Sequence, residues 1–510
     1  MRPAKLAIVG GGPSAFYVAS RLLSLLPHGD PSSPFLRVHM FDRVWAPHGL
    51  VRYGVAPDHP EVKASSLRVL SHSVLITPTT LQNCTHKFDA TALDPRFRFF
   101  GNVNIDCDGL LPVPSALSIP ISSLFSNYTH LLFATGCPLP AFHPAIPPSR
   151  YCTPAISFVH WYTRHPSKPL PPALDSFTHL TLIGNGNVSL DIARILLTNP
   201  SVLEKYDLPE QVLDVLFRSA IRHVSIIGRR GPLQAAFTNK ELRELMNLPE
   251  AAMVPIDPSV LAPPDGTTLT RQQRRTLELL QKGSQKAYGT TSKSWSLEFY
   301  RSPTSLSSPS LASPTDMSQL TLAHTRVDPA TGRAVLTGET STLFTSVVVT
   351  SLGFRAEPTA LFLDPSVNHL RTHAGRILFA DGAAVPNVYA SGWAANGAKG
   401  VLASTMMDAY AVADTILSDI TPGKERIQST AASEYSSNEK SPGLVLNPRP
   451  HPEDPPKEVA QGIKDGTVIQ YEDWKAVDAE ETRRGEIRGK ERERMSWEDA
   501  KAFLTARGRV

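Results

Sequence analysis

Ala4-Lys-Leu-Ala-Ile-Val-Gly-Gly-Gly-Pro-Ser-Ala-Phe-Tyr-Val-Ala-Ser-Arg-Leu-Leu23 decides the fold. An apolar β run, Leu6–Val9, meets Gly10-x-Gly12-x-x-Ala15 and continues into an apolar-periodic helix through Leu23. That order is the strand, turn and helix of a dinucleotide-binding unit. Gly10 permits the tight turn, Gly12 lets backbone approach a pyrophosphate, and small Ala15 lets the helix pack on the strand. Orphan N–H groups at the helix start are then available to phosphate. A second strand, Leu36–Phe41, ends in Asp42, placed to accept hydrogen bonds from a ribose diol. The gap from turn to acid exceeds the usual ~20 residues because the loop Pro27–Pro34 intervenes.

Working outward, Gly49-Leu-Val-Arg-Tyr-Gly-Val-Ala-Pro-Asp-His-Pro-Glu-Val-Lys63 has the Gly and Pro density of a shaped loop. Its apolar Leu50, Val51 and Val55 favour a loop folded over a ligand. Residues 64–95 are rich in Ser, Thr and Leu and resist assignment, as an insertion would. Phe99–Ile105 and His130–Gly136 read as strands, the latter running into a Gly turn, and Pro138–Pro154 reads as a linker.

The motif then recurs: Leu180-Thr-Leu-Ile-Gly-Asn-Gly-Asn-Val-Ser-Leu-Asp-Ile-Ala-Arg-Ile-Leu-Leu197 repeats strand, Gly184-x-Gly186-x-x-Ser189 and helix. Its following strand, His223–Gly228, ends in Arg229-Arg230, where an NAD site would place an acid. A guanidinium binds a ribose 2′-phosphate that a carboxylate repels, so this second site reads as NADP. Helices are expected after Pro232, carrying Lys240, Glu241, Arg243 and Glu244, and over Thr270–Lys282, with Arg271, Arg274 and Arg275 at its start. Ser302–Thr315 reads as an exposed loop. Gly375–Asn387 resembles a hairpin, and Val388–Asp408 holds a strand, a glycine-spaced turn and a helix reaching about Leu417. Gly397 and Gly400 allow close backbone approach to a ligand there. Residues 421–463 have a linker composition, and Trp497–Ala506 a helical one.

At 510 residues, two to four domains are expected. A net charge of +4 gives no electrostatic footprint for nucleic acid. No run of ~18 apolar residues marks a membrane span. Cys84, Cys107, Cys137 and Cys152 are the 4 cysteines; their wide spacing forms neither a Cys-x-x-Cys pair nor a zinc pattern. A redox dithiol is therefore absent, which argues against a disulfide reductase. No Arg/Ser-rich leader is visible ahead of the first strand.

Two dinucleotide motifs, the second with NADP chemistry, imply a flavoprotein taking hydride from NADPH. The sequence resembles the adrenodoxin reductases, the mitochondrial-type ferredoxin–NADP(+) reductases. Val9–Ala15, Gly49–Lys63, Gly184–Leu197, Gly228–Leu248, Lys293–Pro303, Ser391–Asp408 and Tyr471–Glu481 carry the match. The resemblance implies an α/β fold of two Rossmann-like units, with the NADP unit (115–344) inserted into a discontinuous FAD unit. The FAD unit would comprise residues 1–114, 345–420 and, after a linker at 421–463, a C-terminal segment 464–510. It places FAD contacts at Gly10, Gly12, Ser14, Asp42, Leu50, Val103, Trp393, Gly400, Val401 and Leu402. NADP contacts fall at Asn185, Gly186, Asn187, Val188, Arg229, Arg230, Glu241 and Gly400, and proton exchange at His59 and Asp191. Arg243, Arg271, Arg274 and Arg275 match a basic face that docks an acidic [2Fe–2S] ferredoxin. The implied enzyme is a monomer of the mitochondrial matrix or inner-membrane periphery, supplying P450, haem or iron–sulfur pathways. One departure is the turn Gly397-Ala-Lys-Gly400, which places Lys399 near both cofactors. Another NADPH-oxidising flavoprotein with a different acceptor, or a non-catalytic nucleotide-binding homologue, are the alternative readings.

Overall fold

The computed structural model describes residues 3–29, 34–59, 84–105, 113–264, 266–309, 317–421 and 445–508. β1 (Ala4–Val9) is buried along its whole length, as expected of a central parallel strand covered on both faces. Helix α1 (Pro13–Leu25) follows with Gly12 as its N-cap and Pro13 in its first turn, where a missing N–H costs nothing. β2 (Leu36–Asp42), β3 (Phe97–Gly101) and β4 (His130–Phe133) complete the first half of this unit.

The second unit runs β5 (Cys152–Pro154), β6 (His179–Ile183), α2 (Asn187–Leu197), β7 (His223–Gly228), α3 (Asn239–Met246), β8 (Ala251–Met253), α4 (Arg271–Lys282) and β9 (Lys293–Phe299). An antiparallel sheet follows, of β10 (Arg301–Ser307), β11 (Ser318–Val327) and β12 (Ala334–Thr345), before β13 (Val347–Thr350) rejoins the second unit. The chain then returns to the first sheet with β14 (Thr372–His373), β15 (Arg376–Leu378) and β16 (Ala384–Ala390). It ends in α5 (Leu402–Ile420), α6 (Tyr471–Ile487) and α7 (Trp497–Ala506).

Among the described residues the first sheet has the order β14-β15-β16-β4-β1-β2-β3 and the second β8-β9-β7-β6-β13-β5. Leu6 of β1 lies between Val38 and His130; its counterpart Leu180 of β6 lies between Val224 and Val347, all in parallel register. Each unit thus places its glycine turn at the carboxyl edge of a central strand, where the neighbouring strands diverge and ligands bind in open parallel sheets. Phe16, Val18 and Leu22 of α1 pack on β1 and β2 with Ile416 of α5 and Trp474 and Val477 of α6. Leu190 and Ile195 of α2 pack on Leu182, Val224 and Trp295 in the second unit.

Several segments differ from the sequence reading. β4 belongs to the first sheet and β13 to the second, so the exchanges between units fall later than residues 114 and 344. The expected linker Pro138–Pro154 contributes β5, and Ser302–Ser307 is the edge of an antiparallel sheet instead of a loop. Phe99–Ile105 is broken at Asn102, whose positive φ of 64° separates β3 from a short strand Val103–Ile105. Within the expected linker 421–463, the segment from residue 445 is docked: buried Lys5 donates to the carbonyls of His451 (2.8 Å) and Asp454 (2.6 Å), and a helix begins at Lys457. Residues 60–63 of the quoted loop, 64–83 of the expected insertion, Cys107, 310–316 and 422–444 lie outside the described residues.

The C-terminal segment ties the units together through buried charge. Arg494, on the turn before α7, donates to Asp207 of the second unit (Nε to Oδ1, 2.7 Å) and to the carbonyls of Arg52 and Thr163 (2.8 and 2.6 Å). Arg52, in a one-turn helix Leu50–Tyr53, forms two hydrogen bonds with Glu481 of α6, 3.1 and 2.8 Å.

Candidate functional site: two nucleotide turns and the junction between them

The two glycine turns match atom for atom. Gly10 N–H donates to Phe41 O (2.7 Å) and Gly184 N–H to Ile227 O (2.9 Å); Ala134 N–H donates to Val9 O (2.8 Å) and Ser351 N–H to Ile183 O (2.7 Å). Gly10 has φ 109° and Gly184 φ 115°. A Cβ there would stand 2.3 Å from Ala134 O or 2.1 Å from Ser351 O. By contrast, a Cβ at Gly12 or at Gly186 would meet nothing within 4 Å. The first glycine of each turn is therefore demanded by the fold, whereas the second keeps space free in front of an uncapped helix N-terminus. That is the shape a pyrophosphate requires.

At the first turn, a cavity of about 170 Å³ is lined by Gly10, Asp42, Arg43, Val103, Phe133, Gly136 and Glu357, among others. Asp42 accepts from Gly11 N–H (3.0 Å) and Val44 N–H (3.2 Å). Burial pushes its carboxyl up to about 6, against those bonds and Arg43. Ser14, Leu50, Trp393, Gly400, Val401 and Leu402 lie outside this cavity. Ser14 Oγ meets Ser391 Oγ at 2.7 Å, and Gly392, at φ 64°, allows that approach because a Cβ would stand 2.7 Å from Ser14 Cβ. Trp393 donates from Nε1 to Lys399 O (3.0 Å) and stacks on Phe354, centroids 6.1 Å apart. Leu50 and Val401 expose 41% and 62% of their surface, an apolar exposure that a ligand would cover.

At the second turn, Arg229 and Arg230 leave the end of β7 with no ion-pair partner among the described residues. Asn185 Nδ2 and Glu241 Oε2 are buried and carry no hydrogen bond. Buried polar atoms ordinarily find partners, so these two fit a ligand with donors and acceptors of its own. Asn187 Oδ1 accepts from Thr238 N–H (2.8 Å), fixing the start of α3 beside the turn. Helix α3 buries Leu242 and Leu245 and distributes Glu241, Arg243 and Glu244 around its remaining faces.

Between the turns lies a charged network that sequence reading only partly located. His59 Nε2 meets Glu244 Oε2 at 2.6 Å. Arg194 bonds Asp58 through two hydrogen bonds (2.6 and 2.8 Å) and Asp191 (2.8 Å), and stands 3.3 Å from Glu244. His59 and Asp191 thus share one network through Glu244 and Arg194, with no hydrogen bond joining them directly. Burial, the largest influence, and Arg194 work against the charged His59, yet the Glu244 hydrogen bond together with the Asp58 and Asp191 carboxylates raises the imidazole pKa. Burial lifts Asp191 to about 6 despite Arg194. Asp58, Arg194 and Glu244 were not singled out from sequence; the one available signal was Arg194 standing one helical turn after Asp191.

Arg243, Arg271 and Arg274 are exposed on the packed helices α3 and α4, and Arg275 pairs with Glu278 at 3.3 Å. No helix among the described residues is long and apolar enough to cross a membrane.

Fold and site together define a protein with two dinucleotide-binding units, the second with arginines in place of the NAD acid. No family model matches the sequence. Curated relatives do. The chain is 33% identical to the human "NADPH:adrenodoxin oxidoreductase, mitochondrial", covering 96% of this chain and 90% of that protein. It is 32% identical to "NADPH-ferredoxin reductase FprA" of Mycobacterium tuberculosis, covering 97% and 98%. The solved structure "Mycobacterium tuberculosis FprA in complex with NADPH" aligns with TM-score 0.76 and 30% identity over 98% of this chain and 99% of that one. The chain belongs to the NADPH:adrenodoxin oxidoreductase family.

Proposed function

We propose that this chain is an NADPH-dependent flavoenzyme that passes electrons to a [2Fe–2S] ferredoxin, with FAD held at the first turn and NADP at the second. The observation that carries this reading is the duplicated turn, open at Gly12 and Gly186, with Arg229 and Arg230, which have no ion-pair partner among the described residues, at the second copy alone. FAD, when bound, supplies a ring that accepts a hydride from NADPH and returns electrons one at a time. The chain's residues bind and orient. Asp42 accepts from ribose hydroxyls at the end of β2. Arg229 and Arg230 neutralise the 2′-phosphate through charge-assisted bonds, and the free Oε2 of Glu241 accepts from the adjoining ribose. Ser14, Leu50, Val103, Trp393, Gly400, Val401 and Leu402 enclose the flavin, and Asn185–Val188 carry the NADP pyrophosphate. His59 holds a proton at Nε2 against Glu244, and Asp191, whose carboxyl burial lifts to about 6, is largely ionised at neutral pH and accepts a proton as the pH falls toward that value; both serve exchange with solvent.

Arg243, Arg271, Arg274 and Arg275 form the docking face for the acidic ferredoxin, so association is salt-sensitive. The enzyme is a monomer of the mitochondrion, a location inferred from the eukaryotic relatives' names although the bacterial FprA is equally similar. Anaerobic titration of the purified protein tests the cofactor assignment: NADPH bleaches the flavin absorbance stoichiometrically and NADH far more slowly. Equal rates with the two nucleotides would contradict it.

A further inference from the structure

Arg43 follows Asp42 at the end of β2, and its Nη1 meets Glu357 Oε1 at 2.8 Å. The two side chains are 23% and 18% exposed, so the pair is largely shielded from water. Glu357 is 314 residues away in sequence. It stands on the segment Ala356–Leu361, which follows the pairing of Phe354–Arg355 with Leu139–Pro140, after the chain has left the second sheet at Thr350, and crosses to the first. Both charged residues line the cavity beside Asp42, and so do Ala356, Thr359, Ala360 and Leu361. The crossing segment is therefore one wall of the cavity, opposite the ends of β1 and β2. Its backbone is held on the far side by Ala356 N–H to Asn368 O (3.0 Å). The Arg43–Glu357 ion pair is the polar link between this wall and β2, beside the apolar packing of Ala360 and Leu361 on the cluster that holds Val9, Phe41 and Phe133.

We propose that Arg43 and Glu357 form a latch that closes Ala356–Leu361 over the ribose end of the flavin nucleotide and sets its rate of release. The proposal rests on the assignment of FAD to the first turn. The wall shares the cavity lining with Asp42, so release of a nucleotide whose ribose bonds Asp42 quickens when the wall moves away. Opening it breaks this ion pair together with the packing of Ala360 and Leu361, and the pair is shielded enough to matter, unlike the fully exposed pairs that contribute little. Arg43 also offsets the buried Asp42 carboxylate, so the same guanidinium serves the closed wall and the ribose acceptor.

The test is FAD release from the purified holoprotein, followed by the rise in flavin fluorescence after a large dilution into FAD-free buffer, where rebinding is negligible. Glu357→Gln, which keeps the shape and removes the charge, is expected to release FAD about tenfold faster, equivalent to about 1.4 kcal/mol. Arg43→Met releases FAD at least as fast, since it also removes the charge that offsets Asp42, and the double variant releases no faster than Arg43→Met alone, because the ion pair is already lost there. Raising salt speeds release from the unsubstituted protein and not from the double variant. Release rates within twofold of the unsubstituted protein, or effects that multiply in the double variant, would overturn the latch while leaving the flavin assignment intact. Arg43→Lys, which retains the charge, restores slow release; failure to do so while Glu357→Gln still folds and binds FAD would also overturn it. A purified protein that takes up no FAD at all would remove the flavin assignment and the latch together.

Discussion

Replacing Glu481 by Ala should unsettle the loop Gly49–His59 from a distance. Glu481 is fully buried and accepts two hydrogen bonds from Arg52 and one from Met495 N–H (2.9 Å). The guanidinium of Arg52 also sits over the Trp474 ring, 4.6 Å from its centroid. Burial alone would lower the Arg52 pKa, and Glu481 reverses that. Removing the carboxylate strands a buried cation and one backbone donor. Breaking a buried pair on one side costs about 3–5 kcal/mol, against about 0–1 kcal/mol for an exposed pair. At about 2–4 °C per kcal/mol for a domain of 150–250 residues, Tm should fall by on the order of 10 °C. Glu481→Gln keeps the acceptor to Met495 and should cost less. Differential scanning fluorimetry on holoprotein measures both, with Lys168→Ala as the control, because Lys168 pairs with Glu498 where both side chains are 59% exposed. If Glu481→Ala costs no more than Lys168→Ala, the buried cluster does not hold the loop and the C-terminal segment is not what joins the units.

Other outcomes follow from the turns and the network. Gly12→Val should give a folded protein without flavin, since a Cβ there meets only open space, whereas Gly10→Val should fail to fold; circular dichroism and flavin content separate the two. Arg230→Ala should raise the apparent KM for NADPH about 10–100-fold, one charge-assisted hydrogen bond, with NADH turnover unmoved. Arg271→Glu with Arg274→Glu should raise the KM for ferredoxin and leave NADPH-to-ferricyanide activity intact; equal loss of both would remove the docking face. Glu244 holds the folded His59 pKa above the unfolded value. Its contribution to stability is therefore complete below about pH 6.5 and disappears as pH rises through the folded pKa. Glu244→Gln should lower the His59 pKa in an NMR titration, and an unmoved pKa would refute the pairing.

The dinucleotide units were legible because their determinants are local. Gly10, Gly12 and Asp42 lie within one strand–turn–helix–strand stretch, and Gly184, Gly186 and Arg229 within a stretch that adds only the short helices Pro200–Leu203 and Glu210–Phe217 before its second strand, and the backbone of each stretch fixes their geometry. Non-local pairings left no local trace. β4 and β13 are short apolar runs whose sheet is chosen by register with β1 and β6, which is why both unit exchanges fell later than expected. Arg301–Ser307 has a loop composition and becomes a strand only by pairing with β11. Glu244 reads as one more helical acid until Pro57–His59 is brought against α3, and Arg43 gains its partner from a segment 314 residues away. Of residues 64–95, which resist assignment from sequence, 64–83 lie outside the described structure and Cys84–Ala92 forms a helix whose Phe88 stacks on Phe16.

The most direct test of the central claim is cytochrome c reduction by the purified holoprotein with NADPH, with and without an adrenodoxin-type [2Fe–2S] ferredoxin. The account predicts rapid reduction only when the ferredoxin is present, falling steeply as salt is raised. A flavin that NADPH bleaches but that passes no electrons to the ferredoxin at any ionic strength would contradict it.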